Sequence, residues 1–122
     1  MSYDDQNIFS KILRGEIPCN KAYEDDHVLA FHDIAPQAPV HVLVIPKGSY
    51  IDLSDFSANA GDAEIIAFHR AVAKLSHELD LTQKGYRAIA NTGEHGGQEV
   101  PHYHLHLLGG APIGPMVSLP QL

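Results

Sequence analysis

The chain has 122 residues, 44% apolar and 19% charged, which is the make-up of an ordinary soluble globular domain long enough to bury one core. Its formal charge of −7, from 8 basic and 15 acidic residues, excludes nucleic-acid binding driven by backbone charge, so any phosphate must be held by local donors. No stretch reaches the ~20 apolar residues of a membrane span, Met1 to Asp5 has neither apolar run nor basic lead and is not expected to be a signal peptide, and the single Cys19 excludes an intrachain disulfide and suits a reducing cytoplasm.

In chain order, Asp4 to Arg14 reads as a short helix with acidic residues at its start, basic residues at its end, and Gly15 as a stop. Lys21 to Asp25 and Val28 to His32 read as short strands about an Asp25-Asp26 turn. Asp33 to Pro39, with two prolines, is a loop, and His41 to Ile45 is a strongly apolar strand closed by Pro46-Lys47-Gly48. Ser57 or Asn59 is expected to cap a long helix running to about Leu79, because Ile65, Phe68, Val72, Leu75 and Leu79 form one apolar stripe. Tyr86 to Asn91 reads as a further strand. A glycine-rich turn, Thr92 to Gly97, leads into a final strand, and the tail from Gly109 has no periodicity. These elements make an α+β domain over residues 1–122, with about five antiparallel strands and two helices.

The final strand carries the chemistry. His102, His104 and His106 alternate with Tyr103, Leu105 and Leu107, so a strand would gather three imidazoles on one face and a packing surface on the other. Histidine titrates nearest neutrality, so such a face can bind, attack or shuttle protons. Neighbouring histidines two apart have Cα atoms ~6.6–6.8 Å apart and can share a metal, but three on a regular strand cannot converge on one ion. A zinc site would need two of them plus His41 or a carboxylate. A purely structural role would bury several ring nitrogens that each need a partner. The remaining reading is nucleophilic catalysis at phosphorus: one imidazole attacks, the others bind phosphoryl oxygens, and the backbone after Gly96 and Gly97 approaches the ligand.

The run His102 to Leu108 resembles the motif of the histidine-triad (HIT) family. Ile8-Phe9-Ser10-Lys11-Ile12, Phe31-His32-Asp33-Ile34, Pro36 to Lys47 and Gly96 to Val100 resemble its Hint branch, over nearly the whole chain. The resemblance implies a five-stranded antiparallel sheet with two helices, joined with a second copy into a homodimer of ten strands. It also implies metal-free hydrolysis of purine nucleoside phosphoramidates such as adenosine 5′-monophosphoramidate and lysine-linked AMP, with AMP and GMP as ligands and no cofactor. By position, His104 resembles the nucleophile and His106 the contact to phosphoryl oxygens. His102 and His41 resemble the residues that complete the imidazole ring about the phosphate. Asp33 resembles the ribose acceptor; Ile8, Phe9, Ile12, Ile17, Phe31, His32 and Ile34 match the purine pocket; Asn91, Gly97, Gln98, Glu99 and Val100 match the rim near the phosphate.

Three positions depart from the pattern. Glu99 stands where animal members carry serine, Pro101 where tyrosine is common, and the tail from Met116 to Leu122 lacks the tryptophan of some members. Rival readings are a dinucleoside polyphosphate hydrolase, a nucleotide-binding or adaptor protein with little turnover, and a zinc protein.

Overall fold

In the computed structural model, which describes residues 2–118, two buried strands form the centre of the sheet. β2 (Val28–His32) and β3 (Val40–Pro46) pair antiparallel, with Leu29 opposite Ile45 and Phe31 opposite Leu43. β1 (Lys21–Glu24) adds to one side; β5 (Leu105–Gly109) and then β4 (Arg87–Ile89) add to the other, giving the order β1-β2-β3-β5-β4, all antiparallel. Both central strands are nearly continuous apolar runs because both faces of the sheet are covered.

On one face lie α2 (Leu53–Asn59) and α3 (Asp62–Glu78), whose Phe56, Phe68, Ala71 and Leu75 pack on Val28, Ala30, Val42, Val44 and Leu107. Tyr103 joins them, its ring 5.1 Å from both Phe56 and Phe68, which lie 5.3 Å from each other. On the other face, α1 (Ile8–Leu13) brings Phe9 against Leu29, Phe31, Leu43 and Ile45. This second cluster is smaller and leaves part of the sheet open beside α1, where the functional side chains collect.

Strand bounds shift, most at β4, which spans Arg87–Ile89 rather than Tyr86 to Asn91, and three further differences have a local reason. α1 starts at Ile8 rather than Asp4, because Asn7 is the cap: its side-chain oxygen accepts from the Ser10 N–H at 2.9 Å. The long helix is α3 and starts only after Gly61; Ser57 and Asn59, expected as its caps, lie instead inside α2, an additional helix before it. Asp52 caps α2 by accepting from the Asp55 N–H, Ala60 is extended, and Glu64 then accepts from the Gly61 N–H to start α3. The final strand begins at Leu105, not His102. In register Tyr103 would face Pro46, which has no N–H to donate, so the ladder stops and the Tyr103 N–H donates to the Tyr50 carbonyl instead. No helix of the described residues is long and apolar enough to cross a membrane. Residues 119–122 of the tail lie outside the described part; Arg87 donates to the carbonyls of Gly114 and Pro115 just before it.

Candidate active site

A cleft of about 580 Å³ opens on the α1 face, within the range of small-molecule sites. One end is apolar, walled by Ile8, Phe9, Ile12 and Ile17 from α1 and the turn after it, and by Phe31 and Leu43 from the sheet. The other end carries His104, His106, His41, Asp33, Asn91, Gly97 and Glu99. His32 and Val100 also line it, and Ile34 stands at the mouth, 96% exposed. Most of the residues expected from the sequence therefore share one cavity.

Two of them do not line it. His102 is fully buried behind the cavity, with both ring nitrogens engaged: Nδ1 lies 2.5 Å from the Tyr3 hydroxyl and Nε2 donates to the Pro46 carbonyl at 2.8 Å. The expected ring of imidazoles about a ligand thus comprises His41, His104 and His106, and His102 stands outside it. Gln98 turns inward and fastens the glycine turn, donating to the carbonyls of Ile51 and Val100 and accepting from the Gly93 N–H.

Hydrogen-bond partners fix where the protons sit. His104 Nδ1 lies 2.7 Å from the His102 carbonyl, which can only accept, so Nδ1 carries the proton and Nε2 a lone pair. His41 Nδ1 accepts from the Gln37 N–H at 3.0 Å, so its proton is on Nε2. That nitrogen faces His106 Nδ1 at 2.9 Å and Asp33 Oδ2 at 3.5 Å. His106 Nδ1 is then the acceptor, and its Nε2–H remains a free donor. Among the described residues no fully buried side-chain nitrogen or oxygen lacks a partner. The unpartnered Nε2 atoms of His104 and His106 are therefore accessible, one as a nucleophile and one as a donor.

Burial keeps these rings neutral. It pushes the His104 pKa below its ordinary 6.5, opposed by the bond to the His102 carbonyl and by Asp33 and Glu99. Burial lowers His106 to about 4, assisted by the neighbouring His104 and His41. A buried imidazole whose only charged-state support is a backbone carbonyl and two carboxylates keeps its lone pair at neutral pH.

The turn beside the triad is closed tightly. Asn91 Nδ2 donates to the Gly96 carbonyl at 2.7 Å, Gly93 and Gly97 adopt positive φ, and a β-carbon on Gly96 would lie 2.3 Å from the Thr92 carbonyl oxygen. Gly96→Ala is expected to force the turn open, costing about 1–3 kcal/mol of stability by overpacking. Ligand affinity should weaken with it, as urea denaturation and nucleotide titration would measure.

Asp33, His41 and His106 offer three ligand atoms within 4.8 Å of one another. The residue types suit a divalent cation. The spacing suits a hydrogen bond better, because two nitrogens on a tetrahedral zinc stand about 3.3 Å apart, whereas those of His41 and His106 are 2.9 Å apart with a proton between them.

Residues 14–113 match the HIT domain family. This chain belongs to that family. It is 47% identical to a purine nucleoside phosphoramidase of Escherichia coli over 93% of this chain and 95% of that protein. It is 53% identical to an uncharacterised HIT-like protein of Azospirillum brasilense over 96% of both chains. Among solved structures, a HIT family hydrolase from Clostridium thermocellum superposes with a TM-score of 0.84 at 41% identity, covering 94% of this chain and 99% of that one.

In this HIT protein several cavity residues were invisible to sequence reasoning. Pro18, Cys19, Leu43, Ile89 and Leu108 also line the cleft, brought there by sheet register and by the turn after α1. Gln37 acts through its backbone N–H, which sets the His41 tautomer. A signal for it existed: Pro36 and Pro39 donate nothing, so Gln37 and Ala38 hold two of the few free amides in that loop.

Proposed function

We propose that the chain is a metal-independent hydrolase of purine nucleoside 5′-phosphoramidates, of the Hint branch of the HIT family, acting through a covalent nucleotidyl-His104. The observation that carries this reading is the bond from His104 Nδ1–H to the His102 carbonyl, which leaves Nε2 as an accessible lone pair in the cleft. The phosphoramidase name of the Escherichia coli relative supports the choice of substrate.

The apolar end of the cleft takes the purine of AMP or GMP between Ile8, Phe9, Ile17, Phe31 and the rim residues His32 and Ile34. Asp33 accepts from the ribose hydroxyls, an apt task for an ionised carboxylate. Its Oδ1 already accepts from the Ala35 N–H, which orients the group. His104 Nε2 attacks phosphorus, forming a P–N bond to the imidazole while the bond to the substrate nitrogen breaks. That nitrogen departs with the electron pair and needs a proton, from a general acid or because it is already protonated. The Nε2–H of His106, Asn91 and the backbone from Gly97 to Val100 stabilise the phosphoryl oxygens. Water then attacks phosphorus while the bond to Nε2 breaks and returns its electron pair to His104; the water's proton passes to solvent, His104 is again neutral with Nδ1–H, and the nucleotide leaves. His102 acts as a positioning residue through its carbonyl, and His41 as one that sets the His106 tautomer.

We place this chemistry in a single HIT domain of residues 1–122, working as a cytoplasmic homodimer in which two sheets join. The narrow edge strand β4 is compatible with that pairing. Assays of adenosine 5′-phosphoramidate and diadenosine tetraphosphate in parallel, with and without a chelator, test the reading. Chelator-insensitive release of AMP and ammonia from the phosphoramidate is expected. Preference for the dinucleotide, activity lost on chelation, or AMP binding with no turnover would each replace it.

A further inference from the structure

The buried ring of His102 is held from behind by a polar cluster at the start of the chain. Tyr3 packs edge-on against it, with ring centres 5.7 Å apart, and its hydroxyl reaches Nδ1. The same hydroxyl contacts Ser10 Oγ and accepts from Asn7 Nδ2 at 3.0 Å. Asn7 is also the cap of α1, and Ser10, buried, lies one turn into it.

The direction of these bonds follows from their ends. The Pro46 carbonyl only accepts, so the His102 proton is on Nε2; the ring is neutral through burial, so Nδ1 is an acceptor. The Tyr3 O–H therefore donates to Nδ1, and Ser10 Oγ–H and Asn7 Nδ2–H donate to Tyr3. One oriented chain runs from Asn7 and Ser10 through Tyr3 and His102 to Pro46. It clamps the ring at both nitrogens, and with it the residue whose carbonyl accepts from His104 Nδ1. Residues 101–104 have no sheet ladder to hold them there, since β5 begins only at Leu105. Tyr103 is held by its N–H bond to the Tyr50 carbonyl and by its ring in the core, and the clamp fixes His102 beside it.

We propose that Tyr3 is a positioning residue for His104: by anchoring His102 it fixes the carbonyl that sets the His104 tautomer, and through Asn7 it ties that setting to α1, which walls the cleft. Phe9 of α1 touches the His104 ring edge-on with centres 4.9 Å apart, so α1 packs directly on the imidazole. The kinetic part of this proposal rests on the hydrolase reading above; the structural part does not.

The test is ¹⁵N-imidazole NMR of the full chain, wild type against Tyr3→Phe, beside phosphoramidate kinetics. Wild type should give His104 as the pure Nδ1–H tautomer and His102 as the Nε2–H tautomer. In Tyr3→Phe, His104 should become a mixture of tautomers. kcat should fall roughly tenfold, the worth of one buried hydrogen bond, with KM little changed. Ser10→Ala should shift both readouts the same way by less, and it decides the matter if Tyr3→Phe does not fold. A folded variant that only melts earlier, with His104 still a pure Nδ1–H tautomer and kcat intact, would overturn the proposal. A wild type without turnover would refute the hydrolase reading, while the tautomer comparison would still decide the role of Tyr3.

Discussion

His104→Ala is expected to abolish phosphoramidate turnover, by on the order of 10⁴-fold or more, while leaving AMP binding measurable. The size follows from removing the atom that forms the covalent bond, an effect that neighbouring groups do not replace when a site acts as a unit. His106 cannot substitute, because its Nδ1 is occupied by His41 and its Nε2 carries the proton. His41 cannot either, since its Nδ1 is occupied by the Gln37 amide. The substitution also leaves the His102 carbonyl without its donor, which costs about 1–3 kcal/mol if nothing replaces it. Folding must therefore be checked by a melt and by AMP titration. A folded, AMP-binding variant that kept wild-type turnover would remove His104 as the nucleophile. Wild-type and variant enzymes both silent toward phosphoramidates would return the protein to the binding reading.

Alternation made much of this site legible before any coordinates. The period of two from His102 to Leu108 sorted Tyr103 and Leu107 into the core under α3 and His104 and His106 into the cleft. The stripe from Ile65 to Leu79 likewise identified the helix that covers the sheet, and the apolar runs of β2 and β3 identified its centre. What stayed hidden depends on partners far away in sequence. The strand fails at His102 and Tyr103 because Pro46, across the register, has no N–H, and the carbonyl thereby spared accepts from His102. His102 consequently faces Tyr3, 99 positions away, rather than the ligand. The helix α2 stayed hidden because its seven residues bury only Phe56, too little for an apolar stripe of their own. Cys19, Ile89 and Leu108 reach the cleft only through the way the elements close around it.

The burial that keeps the imidazoles neutral should also make the fold acid-labile at unusually mild pH. His102 and His106 are both pushed to about 4 from an ordinary 6.5, chiefly by burial, and the unfolded chain restores the ordinary value. Between those limits the unfolded state binds more protons than the native state, so stability falls as pH falls. The stability is fully present above about pH 6.5 and is lost progressively down to about pH 4. Each histidine contributes on the order of 3 kcal/mol to that loss, and His104, also lowered, adds in the same direction. Repulsion among the rings opposes charging them together and is already part of the lowered His102 and His106 values; several kcal/mol is a large part of the 5–15 kcal/mol that holds a typical domain together. Carboxylates act lower: Glu24, held at about 2 by hydrogen bonds from Lys21 and Lys47, titrates below this window. Urea midpoints at pH 7, 6, 5 and 4.5 should therefore drop steadily, and His102→Gln, which keeps a donor and an acceptor but no titrating ring, should flatten the slope even if it lowers stability at pH 7. A wild-type midpoint that held constant from pH 6.5 to 4.5 would mean that these rings are charged or solvated in the native state. A His104 charged in the native state would lack the lone pair on which the proposed chemistry depends.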